Sequence, residues 1–385
     1  MLLSEHDAKE LLAVQGIPVP GGIQLEQAPR YDEDQPSEKS GPWTVRPQLL
    51  GAVPNLSTHV VTATNNAEIY AAATALLGAT IDGRRVHSVF VERKFTPRGQ
   101  SFLRFECDPP NAGIRITVGD PAPDGQSGGP PDAKRPSTVV PPDPNSVIAG
   151  VEKLATAMPS DVRDCVAEAG RMLAPLFFGY EAVLMEIAPL LLSDGGWTVG
   201  DVKLAIDENA LFRHPELLSL VERRDYAYRD VRERRRFGVD YRVIDPDGTV
   251  ATLATGAAYG AFLIDEMKAR GLSPYNVMGG GLATLNSSDE PLDHLLESYE
   301  AAASPRCLMV AVVGDVVDLP EFAHRFAAAL TKRPDFKLPI VARLVGAGAG
   351  SAGAILEQAA PAIQVEPALD AALDLTFAHV AGRAG

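Results

Sequence analysis

Residues 185–216, MEIAPLLLSDGGWTVGDVKLAIDENALFRHPE, read as two strands joined by a tight turn, with one acid on each arm, Glu186 and Asp201, and Arg213-His214 behind them. An unpaired buried carboxylate is costly. Two of them in a buried hairpin therefore call for a cation. Strand alternation allows Glu186 and Asp201 to face one cleft, and a hard divalent ion such as magnesium suits oxygen ligands while keeping waters and substrate phosphates in its shell. The competing reading pairs Asp201 with Lys203 or Arg213 and gives it no further role.

Around this hairpin lie 385 residues, more than one hydrophobic core usually supports, so two domains are expected. Hydrophobic residues make up 46% of the chain and charged ones 22%, the balance of an ordinary globular protein. The formal net charge of -15 and the pI of about 4.9 repel phosphate backbones and anionic membranes, which argues against nucleic-acid and membrane partners. Cys107, Cys165 and Cys307 lie far apart without CxxC spacing, so neither a disulfide framework nor a structural zinc site is expected. The acidic, amphipathic N-terminus is unlike a signal peptide, and a cytoplasmic location is the expectation.

N-terminal to the hairpin, Ser4 followed by Asp7 predicts a capped helix that Gly16 stops. Strands are expected at 43–49, 59–63 and 87–95, a helix at 66–77, and an antiparallel pair from SFLRFECD and GIRITVG. Residues 119–145 are so rich in Pro and Gly that they read as a mobile excursion. Helices are predicted at 147–158 and 160–174, and a solvated, arginine-rich connector at 219–238. Beyond it, strand and helix alternate: YRVI and GTVATLA around the turn DPDG, RCLMVAVVG and PIVARLVG, with helices between and a small-residue loop, AGAGSAG. That order predicts a doubly wound parallel sheet with its ligand crevice beyond the C-terminal strand ends. The second domain should begin near Tyr241.

Three glycine clusters, at 254–260, 279–284 and 312–318, fall where such strands hand over to helices, where backbone amides can receive a carboxylate or phosphate. Each is equally readable as a tight turn. No HxH, HxxxH or HExxH spacing points to zinc, which leaves His214 structural, and no GxSxG elbow provides a serine nucleophile.

The ordered motifs resemble the succinyl-CoA synthetase beta-subunit family of ATP-grasp acid–CoA ligases. HDAKELLAVQGIPVPGG is similar to its N-terminal signature, GPWTVRPQ to its first nucleotide strand, and VFVERKFTP to its adenine hinge. The opening hairpin with ENALFRHPEL resembles its metal hairpin, and DGTVATLATGAAYGAFLIDEMKARGLSPYNVMGGGLAT with PIVARLVG its second domain. The resemblance implies an α/β protein: an N-terminal ATP-grasp domain (α+β) over 1–238, then a doubly wound, flavodoxin-like parallel-sheet domain over 239–385. It implies use of Mg2+ with ATP or GTP, and an alpha-like partner subunit that binds coenzyme A and carries a transiently phosphorylated histidine. The phosphate would pass to a small-molecule carboxylate, which the CoA thiol then attacks. By motif position, Asp201 corresponds to the metal-binding aspartate and Glu186 to the catalytic glutamate attending the phosphohistidine. Arg46, Val91, Glu92 and Asp201 fall at nucleotide-binding positions, and Thr255, Gly256, Gly314 and Val316 where the family cradles the substrate carboxylate.

Departures accompany the resemblance. The family's hairpin reads Glu-Ile-Asn-Pro, whereas here Ala188 removes a side-chain oxygen from the metal. Arg46 replaces a lysine, and LLGAVPNLS replaces a basic phosphate loop. The run from Gly314 to Asp318 lacks the family's arginine. Two functions are therefore expected: a diverged ligase subunit, or a degenerate ATP-grasp pseudoenzyme acting as a binding or scaffold subunit.

Overall fold

A computed structural model describes residues 1–27, 42–49, 56–120, 135–193, 196–224, 227–280, 285, 288–314, 317–359 and 363–382. The chain divides into two compact units, Met1–Ala227 and Tyr228–Gly385, so the arginine-rich helix Arg229–Phe237 counts with the second.

The first unit contains two antiparallel sheets. One orders its strands Gly22–Leu25, Ser88–Arg93, Trp43–Gln48 and Val61–Ala63. The helix Asn66–Leu76 covers it, and Val45, Ala63, Ile69, Ala73, Val89 and Val91 form a shared core. The other sheet centres on the long strand Ala182–Ser193, which pairs on one side with Gly99–Asp108. That strand continues the sheet through Gly113–Gly119 and Ser137–Val140. The helices Pro144–Ala155 and Ser160–Gly179 bury their apolar stripes, including Val147, Val151, Val166 and Leu173. The strand Ser137–Val140 and the helix starting at Pro144 correct the expectation that nothing packs across 119–145. Asp143 accepts a hydrogen bond from the Ser146 amide (2.9 Å) and Pro144 occupies the first turn, so the prolines here start structure instead of preventing it. The remainder of that excursion lies outside the described residues.

The opening hairpin has three strands. On its other side Ala182–Ser193 pairs first with Gly196–Val199 and then with Val202–Ile206, so Gly200 and Asp201 sit in a break between two short strands and Asp201 is not on a strand arm. A side chain at residue 200 could not fit there: a Cβ would lie 2.7 Å from the Pro189 carbonyl oxygen. The break is held by Ala188 N–H donating to the Asp201 carbonyl (3.0 Å) and Gly200 N–H to that of Pro189 (2.9 Å).

The first helix, Glu5–Val14, is capped by Ser4 as expected, its hydroxyl accepting from the Asp7 amide. Leu3 N–H donates to the Leu204 carbonyl and the amino terminus to that of Ile206. The helix therefore starts against the strand Val202–Ile206, which carries Glu5 and Lys9 to the break at Asp201.

In the second unit four parallel strands run in the order Val250–Ala254, Cys307–Val313, Ile340–Val345, Ile363–Val365. One face buries Leu263 and Met267 of helix Ala257–Ala269 and Leu373 of helix Leu369–Gly382. The opposite face buries side chains of helices Glu290–Ala301, Leu319–Thr331 and Ala349–Ala359, among them Leu295, Phe322 and Leu356. This is the doubly wound sheet that the alternation predicted. Two local readings change: Val239–Val243 pairs with Asn276–Gly280 and not across DPDG, and the AGAGSAG segment is helical from Ala349 onward. No helix among the described residues is long and apolar enough to cross a membrane.

Candidate active site

The hairpin acids acquire different partners. Glu186 is fully buried, and strand register places it directly opposite Arg104 on one neighbour and Lys203 on the other. Cross-strand residues share a face, so the three side chains form a row. Arg104 Nε donates to Glu186 Oε2 at 2.7 Å, its Nη2 contacts the same oxygen, and Lys203 Nζ lies 3.5 Å from Oε1. The cation that Glu186 required is thus an arginine of the same sheet.

Asp201 makes a direct ion pair with neither Lys203 nor Arg213, which are committed to Glu186 and Glu181. Among the described residues its carboxyl has no direct hydrogen-bond or ion-pair partner. Burial, and then the charge of Glu5, push it up to about 6, against the pull of Arg46, Lys9 and Lys203. It is the one open carboxylate of the group.

Beside it, two further acids share two cations. Lys9 Nζ contacts Glu92 and reaches Glu5 at 2.9 Å and the Gly200 carbonyl at 2.6 Å. Arg46 contacts Glu92 through Nη2 and Glu5 through Nη1 at 2.9 Å. Both cations lie over the Phe90 ring, 5.3 and 5.6 Å from its centroid. Burial raises the Glu5 pKa, yet Arg46 and Lys9 together carry it below the ordinary carboxylate range. In Glu92 burial prevails over Lys9 and Arg46, and the group lies above its usual range. Arg46 is raised by Glu5, Glu92 and Asp201 against its desolvation.

Arg46, Glu92 and Asp201 therefore belong to one electrostatic neighbourhood. Val91 sits mid-strand, paired on both sides, with its side chain in the core. The phosphate-loop segment from 50 to 55 lies outside the described residues. Sequence reasoning missed Glu5, Lys9 and Arg104. The first two are spaced i,i+4 on a capped helix, and Arg104 is a lone cation in the apolar run SFLRFE, each a readable signal of a buried pair.

Four acids, Glu5, Glu92, Glu186 and Asp201, here face four cations, Lys9, Arg46, Arg104 and Lys203. A bare divalent ion would find one available carboxylate in a field that is already balanced. Magnesium carried by a nucleotide fits better, because it takes one or two protein carboxylates and completes its shell with phosphate oxygens and water. Asp201 is the side chain that would hold it, and Ala188, hydrogen-bonded through its backbone to the same residue, contributes no side-chain oxygen. His6, Asp7 and Glu10 also converge, with ligand atoms within 4.8 Å of one another. Arg224 occupies that cluster at 2.7 Å from Asp7 and 3.2 Å from His6, while Arg223 holds Glu10 at 3.0 Å.

In the second unit, Thr255 and Gly256 follow directly on the strand Val250–Ala254. Thr255 Oγ1 accepts from the Val313 amide (3.1 Å), and its own amide donates to the Ala311 carbonyl (3.1 Å). Gly256 has φ +78° with open space where a Cβ would be, and it precedes a helix with no side-chain cap. Gly314, just past the strand Cys307–Val313, packs against Gly346: a Cβ on Gly346 would lie 3.0 Å from the Gly314 nitrogen. Val316 lies outside the described residues.

No protein-family model matches the chain. It is 28% identical over 379 residues to the succinate–CoA ligase [ADP-forming] subunit beta 1 of Archaeoglobus fulgidus, with 90% of each chain covered. It is 26% identical over 369 residues to the corresponding beta subunit of Dichelobacter nodosus, covering 90% of this chain and 91% of the relative. Among solved structures, ATP citrate lyase from Methanothrix soehngenii in complex with citrate and coenzyme A superposes with a TM-score of 0.70 at 17% identity, over 98% of this chain and 99% of that one. The chain is thus similar in sequence, along nine-tenths of its length, to succinate–CoA ligase beta subunits, and its fold, an ATP-grasp architecture followed in sequence by a doubly wound parallel sheet, matches that of ATP citrate lyase.

Proposed function

We propose that this chain is the beta-like subunit of an NDP-forming acid–CoA ligase, one that uses Mg-ATP or Mg-GTP and a phosphohistidine on an alpha-like, CoA-binding partner to activate a carboxylate for thioester formation. The observation that carries the reading is Asp201, which keeps an open carboxylate beside Glu5, Glu92 and Glu186, each of which is paired with a cation. A carboxylate raised to about 6 is held at a cost, and the cost is intelligible where a cationic ligand recovers it.

Magnesium, when bound with nucleotide, supplies neutralisation of phosphate charge. The chain's own residues then divide the work. Asp201 holds the ligand from the break between two strands, and Lys9 fixes that break through the Gly200 carbonyl. Arg46 extends positive charge toward the nucleotide strand while anchored on Glu5 and Glu92. Glu186, gripped by Arg104, is a fixed hydrogen-bond acceptor whose Oε1 is buried without a hydrogen-bond partner, the atom that would orient the partner's imidazole. Thr255, Gly256 and Gly314 would receive the substrate carboxylate through backbone amides.

A second reading, a pseudoenzyme that assembles without turning over nucleotide, is favoured by the Arg104–Glu186 lock and by Ala188. Titration calorimetry of the full chain with Mg-ATP and then Mg-GTP, alone and with the alpha-like subunit, separates the two. Magnesium-dependent micromolar binding that Asp201→Asn abolishes supports the ligase. No heat in any preparation of a folded chain would leave the scaffold reading standing.

A further inference from the structure

The sheet that carries Glu186 has one face turned to its helices and one turned away from them. Phe105 and Ile116 point to the helices: the Phe105 ring is 5.9 Å from that of Phe177, and a Cβ on Gly150 would lie 2.4 Å from Ile116 Cδ1. Successive side chains on a strand alternate between faces, so Arg104 and Thr117 point the other way. Register sets Thr117 directly opposite Arg104, Arg104 opposite Glu186 and Glu186 opposite Lys203, a row drawn from four neighbouring strands. Thr117, Arg104 and Glu186 are buried, while the side chains of Arg104 and Lys203 keep 10% and 25% of their surface, so solvent reaches the row at its two cations.

The hydrogen bonds of this row are incomplete. Thr117 Oγ1 is buried and has no partner, and among the described residues it is the one buried hydroxyl left so. The buried hydroxyls of Ser101, Thr252 and Thr376 donate to the carbonyls of Gly119, Asn276 and Ala372. A buried hydroxyl without a partner costs free energy, and such groups in a native fold call for an explanation. Arg104 commits Nε and Nη2 to Glu186, but its Nη1 makes no hydrogen bond among the described residues. The Glu106 oxygen paired with Nη1 lies 3.7 Å away, and that carboxylate also faces Arg115 at 3.8 Å. Within the row, two cations stand against the single carboxylate of Glu186. Guanidinium and hydroxyl donors on a positive balance suit the oxygens of a phosphoryl group. The row also ends beside the candidate metal ligand, since the charge of Lys203 acts on Asp201. Residues 49–57, LLGAVPNLS, contain no basic side chain, so cations for a phosphate must come from another element.

We propose that Arg104 and Thr117 form a phosphoryl-binding subsite on this sheet face, which takes the terminal phosphate of the nucleotide in place of a basic loop. The proposal rests on the reading that Asp201 holds magnesium nucleotide. Glu186 fixes the guanidinium through Nε and Nη2 and leaves Nη1 to donate to one phosphate oxygen, while the Thr117 hydroxyl donates to another. The chemical class it specifies is a nucleoside triphosphate, and inorganic phosphate is the competing source of the same group.

Titration calorimetry of the full-length chain with Mg-ATP and with Mg-ADP isolates the terminal phosphate, and inorganic phosphate is titrated separately. The parent chain is expected to bind Mg-ATP more tightly than Mg-ADP. Thr117→Val, which keeps the shape and removes the hydroxyl, should weaken Mg-ATP about three- to tenfold and leave Mg-ADP unchanged. Arg104→Lys keeps the charge but loses the fork, and should weaken Mg-ATP about tenfold, again without effect on Mg-ADP. The Tm of Thr117→Val should equal or exceed that of the parent, because a methyl replaces an unpaired hydroxyl. An ATP-to-ADP affinity ratio unchanged in Thr117→Val overturns the proposal. So does an equal loss for both nucleotides, which marks a structural role, and should Arg104→Lys not fold, the ratio in Thr117→Val decides alone. Inorganic phosphate that binds as tightly as Mg-ATP and is weakened by the same variants overturns the nucleotide assignment. Absence of Mg-ATP and Mg-ADP binding by the parent chain fails the nucleotide reading and this proposal with it. Magnesium-dependent binding that Asp201→Asn abolishes, with a ratio indifferent to Thr117→Val and Arg104→Lys, leaves that reading standing and fails this proposal alone.

Discussion

Replacing Asp201 by asparagine should stabilise the folded chain while removing its grip on magnesium nucleotide. The carboxyl titrates at about 6 in the fold, against an ordinary aspartate value of 3.8, a gap that corresponds to about 3 kcal/mol of differential free energy. The sign follows from which state holds the proton. A carboxyl raised in the folded state binds its proton more tightly there than in the unfolded chain, so folding is favoured below about pH 4 and loses that advantage as pH rises through about 6. At pH 7 Asp201 is ionised in a site that burial and Glu5 make unfavourable for it. Asparagine removes the ionisation and should recover on the order of 2–3 kcal/mol at pH 7 and almost none at pH 4, or roughly 5–10 °C in Tm at the higher pH. Differential scanning calorimetry of both proteins from pH 4 to 8 reads this directly. A Tm difference independent of pH, or a variant less stable at pH 7, would refute the reasoning.

Three other perturbations follow from the geometry. Arg104→Met leaves Glu186 buried with only Lys203 at 3.5 Å and should cost about 3–5 kcal/mol in urea unfolding, most of which the double variant with Glu186→Leu should recover. Ala188→Asn places a side-chain oxygen on the strand that hydrogen-bonds Asp201, so Mg-ATP affinity by calorimetry should rise several-fold, and no change would mean that the metal is held elsewhere. Gly256→Ala meets no neighbour within 4 Å, so its cost is backbone strain at φ +78° alone, about 1–3 kcal/mol by chemical denaturation.

Much of this architecture was legible because period and punctuation agreed. The capped first helix, the strand Trp43–Gln48, the helix Asn66–Leu76 and the βα alternation after Val250 each carry a pattern that one local rule decodes. Misreadings came where the information is not local. The composition of residues 119–145 favours disorder on average, but Asp143-Pro144 is a helix start, and Ser137–Val140 gains its ladder from a strand that begins 24 residues earlier. Strand alternation placed both hairpin acids toward one cleft, but the break at Gly200–Asp201 depends on a close approach to Pro189 that no spacing rule encodes. The partners of the acids were the least legible, since Lys9 meets Glu92 across 83 residues and Arg104 meets Glu186 across 82.

The acids differ because of where their cations come from. Glu186 is matched by strand register: Arg104 and Lys203 stand opposite it on both sides, so the pair forms whenever the sheet forms and needs no ligand. Glu5 and Glu92 share Lys9 and Arg46 in a balanced group of four charges, and Asp201 adds a negative charge that no cation there contacts directly. Burial raises Asp201 and Glu92 against the pull of the neighbouring cations, whereas in Glu5 the charges of Arg46 and Lys9 outweigh burial and lower it. A site that pairs Glu5, Glu92 and Glu186 internally and leaves Asp201 uncompensated beside a glycine break has concentrated its capacity for a cationic ligand in one residue. It follows that neutralising Asp201 should remove nucleotide-borne metal binding, whereas neutralising Glu186 should chiefly leave Arg104 with Glu106, 3.7 Å away, as its remaining acid partner.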